Sequence, residues 1–292
     1  MSHLRIILID VGWGDSILLE SVDSTGETHF ALVDSNDTAN LRSSFIFLKR
    51  RLERFEEHTP LPNPVFEWVL MTHAHADHAQ GLKATLKEFT TDRLYYPKVN
   101  SNKLFFSDLL RFANRSSKVG FHQSIDNTKQ DFQFGDATVQ TIWPPYDYQN
   151  VYTNENNNSV VLLIRIGERS VVLTGDAEAE VWDQIAGQIP ADAVFFKVPH
   201  HGSEDATFNP NHDTPWLDTL PTDCRLAVSS HVRPFSHPSP SVVTELDANP
   251  FPWYRTDEHY HIEIEVFEDS ADPVTVKYSH RDENQSHGHH FT

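Results

Sequence analysis

The run from Val69 to Gly81 carries His73, His75, Asp77 and His78. Imidazole and carboxylate side chains are together the donor set that borderline divalent ions such as zinc prefer. Residues 64–71 read as a mostly apolar strand (Val65, Phe66, Trp68, Val69, Leu70), so the cluster emerges where a buried strand ends. His73 and His75, two apart on extended chain, project to one side and can share an ion. Asp77 and His78 follow at the turn into a helix expected over 79–89, within reach of a second ion. Four such side chains at this spacing read as a metal site rather than a polar surface loop.

The second half of the chain holds the complementary groups. Thr174-Gly175-Asp176 follows an apolar strand expected over 170–173. A carboxylate at such a strand end can bridge two cations about 3.5–4 Å apart, although Asp is also a favoured helix cap. A strand over 193–198 ends in Pro199-His200-His201-Gly202-Ser203. Adjacent histidines on a turn diverge, so one can bind metal while the other faces substrate. His237, fixed within Ser236-His237-Pro238-Ser239-Pro240, suits an oriented donor or acid, with a solvated loop histidine as the competing reading. Asn156-Asn157-Asn158-Ser159 offers amides that could orient water or phosphate oxygens, or simply form a turn. Asn158 and Ser203 are the candidate substrate-binding residues. His259 and His261 alternate on a strand expected over 259–266 and share a face, read as facing solvent or a sheet edge rather than forming a second site. Nucleotide-loop and serine-nucleophile motifs are absent, and Cys224, the sole cysteine, is a small structural residue.

The elements that must position these residues repeat a plan. Strands at 4–11, 15–20 and 28–33 end in Asp34; a helix over 41–56 and the strand ending in His73 follow. Strands at 137–143, 160–166 and 170–173 end in Asp176; a helix over 177–186 and the strand ending in His200 and His201 follow. Each half therefore reads as hairpin, strand ending in aspartate, helix, strand ending in histidines. Such a pseudo-twofold α/β pair places its ligands at strand C-terminal ends. No composition shift marks a linker, so one domain over 1–280 is expected, with a polar tail at 281–292.

The 292 residues carry 23 Lys and Arg against 42 Asp and Glu, a net charge of −19. That excludes broad electrostatic attraction of nucleic acid, though not a polyanion at the site itself, where divalent ions would dominate the field. With 38% apolar residues, mean hydropathy of −0.47, no membrane-length apolar run and no leader pattern, a cytoplasmic protein is expected.

The H-x-H-x-D-H pattern of His73 to His78 resembles the metallo-β-lactamase superfamily, which implies a four-layer αββα sandwich with one or two metals at the edge between its sheets. Leu8-Ile9-Asp10-Val11-Gly12-Trp13-Gly14-Asp15-Ser16, Leu32-Val33-Asp34, Asn158-Ser159-Val160-Val161-Leu162, Leu173-Thr174-Gly175-Asp176, Lys197-Val198-Pro199-His200-His201-Gly202-Ser203, His237-Pro238 and Arg255-Thr256-Asp257 add to it. In this order they resemble the hydrolase domain at the C-terminus of the competence DNA-uptake protein ComEC, and phosphorylcholine esterase. The resemblance implies phosphodiester or phosphate-ester hydrolysis at two divalent ions. It puts His73 and His75 on one, Asp77, His78 and one of His200 and His201 on the other, and Asp176 between them. His201 is taken as that ligand, and Asp77, His200 and His237 as the catalytic groups. Three departures stand out: Trp13 where a glutamine is common, Ser35-Asn36 where a glycine is usual, and no membrane channel. A further histidine ligand is frequent between the positions of His78 and Asp176, but only His122 lies there, without motif context.

The expectation is a two-metal phosphodiesterase, foremost a nuclease on DNA or RNA, using zinc or alternatively manganese. Hydrolysis of a small phosphoester, other ester or lactone is the first alternative. A metal-binding subunit with a protein partner in a multi-component system is the second.

Overall fold

Short β-branched and aromatic runs, punctuated by glycine and proline, form two mixed sheets in the computed structural model, which describes residues 1–37, 42–98, 102–147, 154–231 and 233–278. The first sheet opens with β1 (His3–Leu8), β2 (Ile17–Val22) and β3 (Thr28–Val33), paired antiparallel. It continues in parallel through β4 (Phe66–Leu70), β5 (Thr91–Pro97) and β6 (Val119–Ile125). The second sheet begins antiparallel with β7 (Phe132–Phe134), β8 (Ala137–Trp143), β9 (Val161–Ile166) and β10 (Arg169–Leu173). It turns parallel through β11 (Ala193–Lys197), β12 (Arg225–Val228) and β13 (Trp253–Arg255). The chain then returns to the first sheet, where β14 (Ile262–Phe267) pairs with β1 and β15 (Thr275–Tyr278) lies outside it.

Strand periodicity sorts the apolar residues into layers. Leu4, Ile6 and Leu8 of β1 face a core shared by both sheets, together with Trp68, Leu162 and Phe195. Ile7 points the other way, toward α1 (Ser43–Glu56), α2 (Ala76–Ala79), α3 (Leu82–Glu88) and α4 (Leu104–Ala113), whose Leu48, Leu52, Leu86 and Leu109 close the outer face. On the far side, α5 (Ala179–Ile185), α6 (Glu204–Thr207) and α7 (Pro240–Ala248) cover the second sheet, with Trp182 and Leu246 packed against Phe196 and Leu226. The order is helix, sheet, sheet, helix, the αββα sandwich expected. Its halves match: an antiparallel pair, an aspartate, a helix, then a parallel strand leading to histidines.

Two local expectations need correction. The helix expected over 79–89 is two helices, and Asp77 and His78 lie inside the first. The break is at Gly81, whose N–H donates to Ser35 O at 2.7 Å; a Cβ there would stand 2.6 Å from Ser35 Oγ. The strand expected over 259–266 is α8 (Thr256–His259) followed by β14, so His259 and His261 do not alternate on a strand. His261 is turned inward, its Nδ1 accepting from Asp10 N at 3.0 Å and its ring packed on Phe47. The short strand β7 has no counterpart in the sequence reading, and the polar tail at 281–292 lies outside the described residues.

Candidate metal centre

Asp34, at the end of β3, lies in the left-handed region (φ 58°), a conformation Asp tolerates better than most residues. Its Oδ1 accepts from Thr72 N at 2.7 Å, and its Oδ2 from Thr72 Oγ1 at 2.6 Å and His78 Nδ1 at 2.7 Å. A carboxylate on Nδ1 fixes the tautomer and leaves Nε2 as the free donor. That Nε2 points at Asp176 Oδ2, 3.0 Å away. His201 is oriented in the same manner, its Nδ1 donating to Ser229 O at 2.8 Å. Its Nε2 faces Asp176 Oδ2 at 3.5 Å and Asp77 Oδ2 at 3.7 Å. The close approach beneath Asp77 depends on Gly14 (φ 101°), where a Cβ would stand 2.1 Å from Asp77 O.

Asp77, His78, Asp176 and His201 thus present ligand atoms within 4.8 Å of one another. Asp176 is the hub. Its Oδ2 also stands 3.7 Å from His73 Nε2 and 3.9 Å from His200 Nε2. The ring of His75 lies 4.6 Å from that of His73, and its Nε2 is 3.6 Å from Glu155 Oε2. Asp176 Oδ1, His73 Nε2 and His201 Nε2 are buried yet have no hydrogen-bond partner. Native structures rarely leave such atoms bare, and bare, convergent N and O donors fit divalent cations. The group chemistry agrees. Burial disfavours charge on His201, but the carboxylates of Asp176 and Asp77 lift its pKa to about 9. Burial would raise Asp176, yet His78, His201 and His200 hold it well below the usual carboxylate range. Burial and the neighbouring His78 push His73 well below the usual imidazole value. Protons shared among buried carboxylates and imidazoles are what metal binding displaces.

His200 and His201 both sit at positive φ (46° and 54°), and rather than diverging both turn Nε2 toward Asp176 Oδ2, His200 from the more exposed side. His200 Nδ1 meets Ser203 Oγ at 3.0 Å and Glu178 Oε1 at 3.4 Å, and its Nε2 can accept from Asn156 Nδ2 at 3.4 Å. Ser203, expected at the substrate, is occupied in capping α6 and holding His200. Asn158 is buried with its Oδ1 unpartnered. His237 stands 5.8 Å from His200 and 5.9 Å from Trp13, ring to ring. Burial and the neighbouring His200 and His201 push its pKa down to about 4.

Glu155 and Glu178 of the centre have no signal in the short motifs. Asp34 and Glu178 act on histidines far away in sequence. The repeat in which Asp34 mirrors Asp176 was the available cue for Asp34. Glu155, paired with Lys103, borders His75 from a loop that no pattern marks. Asp15 Oδ2 and Lys197 Nζ form a buried ion pair at 2.8 Å, and Asp15 Oδ1 is 3.7 Å from His201 Nδ1.

Two stacked mixed sheets with this His/Asp centre at the strand ends they share make the metallo-β-lactamase fold. A point mutant of CmlA β-hydroxylase is similar in structure: TM-score 0.51 and 17% identity, covering 88% of this chain and 53% of that one. The metallo-β-lactamase fold protein YhfI from Bacillus subtilis is also similar, at TM-score 0.49 and 12% identity over 86% of this chain and 95% of that one. By sequence the chain is 24% identical over 267 residues, 88% of its length, to ComE operon protein 3 of Bacillus subtilis. It is 27% identical over 183 residues, 62% of its length, to Recombination protein 2 of Haemophilus influenzae. The chain spans 32% and 20% of the lengths of these two relatives. No family model matches. Among the described residues no helix is long and apolar enough to cross a membrane.

Proposed function

We propose that the chain is a two-metal phosphodiesterase acting on nucleic acid. The observation that carries this reading is the convergence of His73, His78, His200 and His201 on one buried carboxylate oxygen, Asp176 Oδ2. A carboxylate faced from several sides by imidazoles would suit a place between two cations; Asp77, His78 and His201 would hold one, and His73 and His75 the other. Bound divalent cations supply Lewis acidity, drawing charge from phosphoryl oxygens and making water a competent nucleophile near neutral pH. Zinc suits the imidazole-rich set, and manganese the carboxylates. Asp77, held below the usual carboxylate range by its His201 and His78 contacts despite burial, is ionised, so it can serve as a ligand and orient attacking water by accepting its hydrogen bond. His200, with Nδ1 steadied by Ser203 and Glu178 and its side chain only part-buried, would in its protonated form pass the Nε2 proton to the leaving oxygen. His237 is neutral near pH 7 and serves better as an acceptor than as the acid. The relative named Recombination protein 2 supports nucleic acid as the substrate class.

The net charge of −19 favours a second reading, hydrolysis of a small phosphoester, other ester or lactone. Incubating the metal-loaded chain with single- and double-stranded DNA, RNA, a phosphomonoester and a lactone separates the two. Cleavage of an oligonucleotide well above that of the monoester and lactone is expected. Turnover confined to the small esters would overturn the phosphodiesterase reading.

A further inference from the structure

One side of the centre is walled by rings that take no part in the three apolar layers. Trp13 stands 4.9 Å from His201 and 4.6 Å from Phe235 by ring centroids. His237 lies within 28° of the plane of Trp13 and 24° of that of Phe235. Phe235 is 59% exposed, and Arg233, two residues before it, is exposed as well. Phe235 is exposed and Trp13 and His237 are half-buried, so these rings lie outside the cores and border the residues that would hold the ions.

We propose that Trp13, Phe235 and His237 form a stacking platform for the nucleobase beside the scissile phosphate, so that the substrate is single-stranded rather than duplex nucleic acid. This rests on the phosphodiesterase reading above. A phosphate placed at Asp77 and His201 leaves its attached nucleoside over Trp13, whose ring touches His201. A flat π-face gains by stacking on such rings whatever the base, whereas in a duplex each base face is already covered by its neighbours. The charge of the chain fits a short contact of this kind. A net charge of −19 disfavours broad electrostatic attraction of the backbone, so stacking and the ions carry more of the affinity.

The test compares two oligothymidylates of equal length and charge, one intact and one abasic at the nucleotide next to the cleavage position. Binding is read by fluorescence anisotropy to the full chain loaded with calcium, and cleavage is followed separately with zinc or manganese. The intact strand is expected to bind roughly 5- to 100-fold tighter, the range one stacked base supplies. Phe235→Ala and Trp13→Ala should bring that ratio close to one with metal content unchanged, while Trp13→Phe should retain most of it. An intact-to-abasic ratio near one in the wild type, or a ratio untouched in Phe235→Ala, would overturn the platform. Cleavage without that discrimination would leave the phosphodiesterase reading standing, and discrimination without cleavage would leave the platform standing. Displacement of the intact strand by duplex of the same sequence at equal concentration would count against the single-strand assignment.

Discussion

The chemistry of the centre depends on which nitrogen of each histidine is left free, and single contacts decide that. Asp34 keeps the His78 proton on Nδ1. Asp34→Asn can still accept from Thr72, but its amide would donate toward His78 Nδ1 and drive the proton to Nε2, the ligand atom. Metal affinity is expected to fall about 10–100-fold with the fold intact, as for the loss of other groups that orient a ligand. Competition with a chromophoric chelator measures this, and unchanged affinity would remove Asp34 from the centre. A second residue gives a pH signature away from the metal. Burial pushes the His261 pKa down to about 4, and its Nδ1 must stay unprotonated to accept from Asp10 N. Its contribution is therefore complete above pH 6.5, the unfolded value, and is lost as pH falls toward 4. His261→Gln, which does not titrate, should show a shallower loss of urea stability between those pH values; parallel curves would sink the assignment. His73, His75, Asp77 and His78 were legible because they fall in one short run. Asp34 was marked by the repeat and by its Leu32-Val33-Asp34 run, but Glu155 and Glu178 were not legible, because carboxylates that serve distant histidines look like ordinary loop acids until the sheets are stacked.

At the scale of elements, Lys197 at the end of β11 and Asp15 just before β2 join the two sheets through a buried ion pair at 2.8 Å. Both side chains are almost fully buried. Lys197→Met would leave the Asp15 carboxylate without its cation, a change that typically costs about 3–5 kcal/mol. Adding Asp15→Leu should recover much of that loss, since an apolar pair of similar volume avoids the desolvation cost. Urea unfolding of the single and double variants reads both effects, and a single-variant loss below about 1 kcal/mol would mean the pair is solvated after all. The elements themselves were mostly visible, since alternation and glycine punctuation mark the hairpins leading to Asp34 and Asp176. The errors came from backbone approach and burial that a sequence does not show. Gly81 splits the helix beside the ligands because Ser35 lies against it. His261 turns inward because Asp10 offers it an N–H.

Over the whole molecule, the repeated order of hairpin, aspartate, helix and histidines places both ligand sets at one edge of the sandwich; the half-chain pattern read from sequence predicted the pseudo-twofold pair, and the resemblance carried by the H-x-H-x-D-H run implied the αββα layers. The balance of 42 acidic against 23 basic residues does not alter that edge, but it limits how a polyanion is held. The central claim is that two cations share Asp176 and together cleave a phosphodiester. Elemental analysis and oligonucleotide cleavage on the same samples of wild type and Asp176→Ala, reconstituted with zinc or manganese, test it most directly. The account predicts two metal ions per wild-type chain with cleavage, and in the variant one ion or fewer with cleavage lost. Two ions retained in Asp176→Ala, or a fully loaded wild type that leaves every phosphodiester intact, would contradict it.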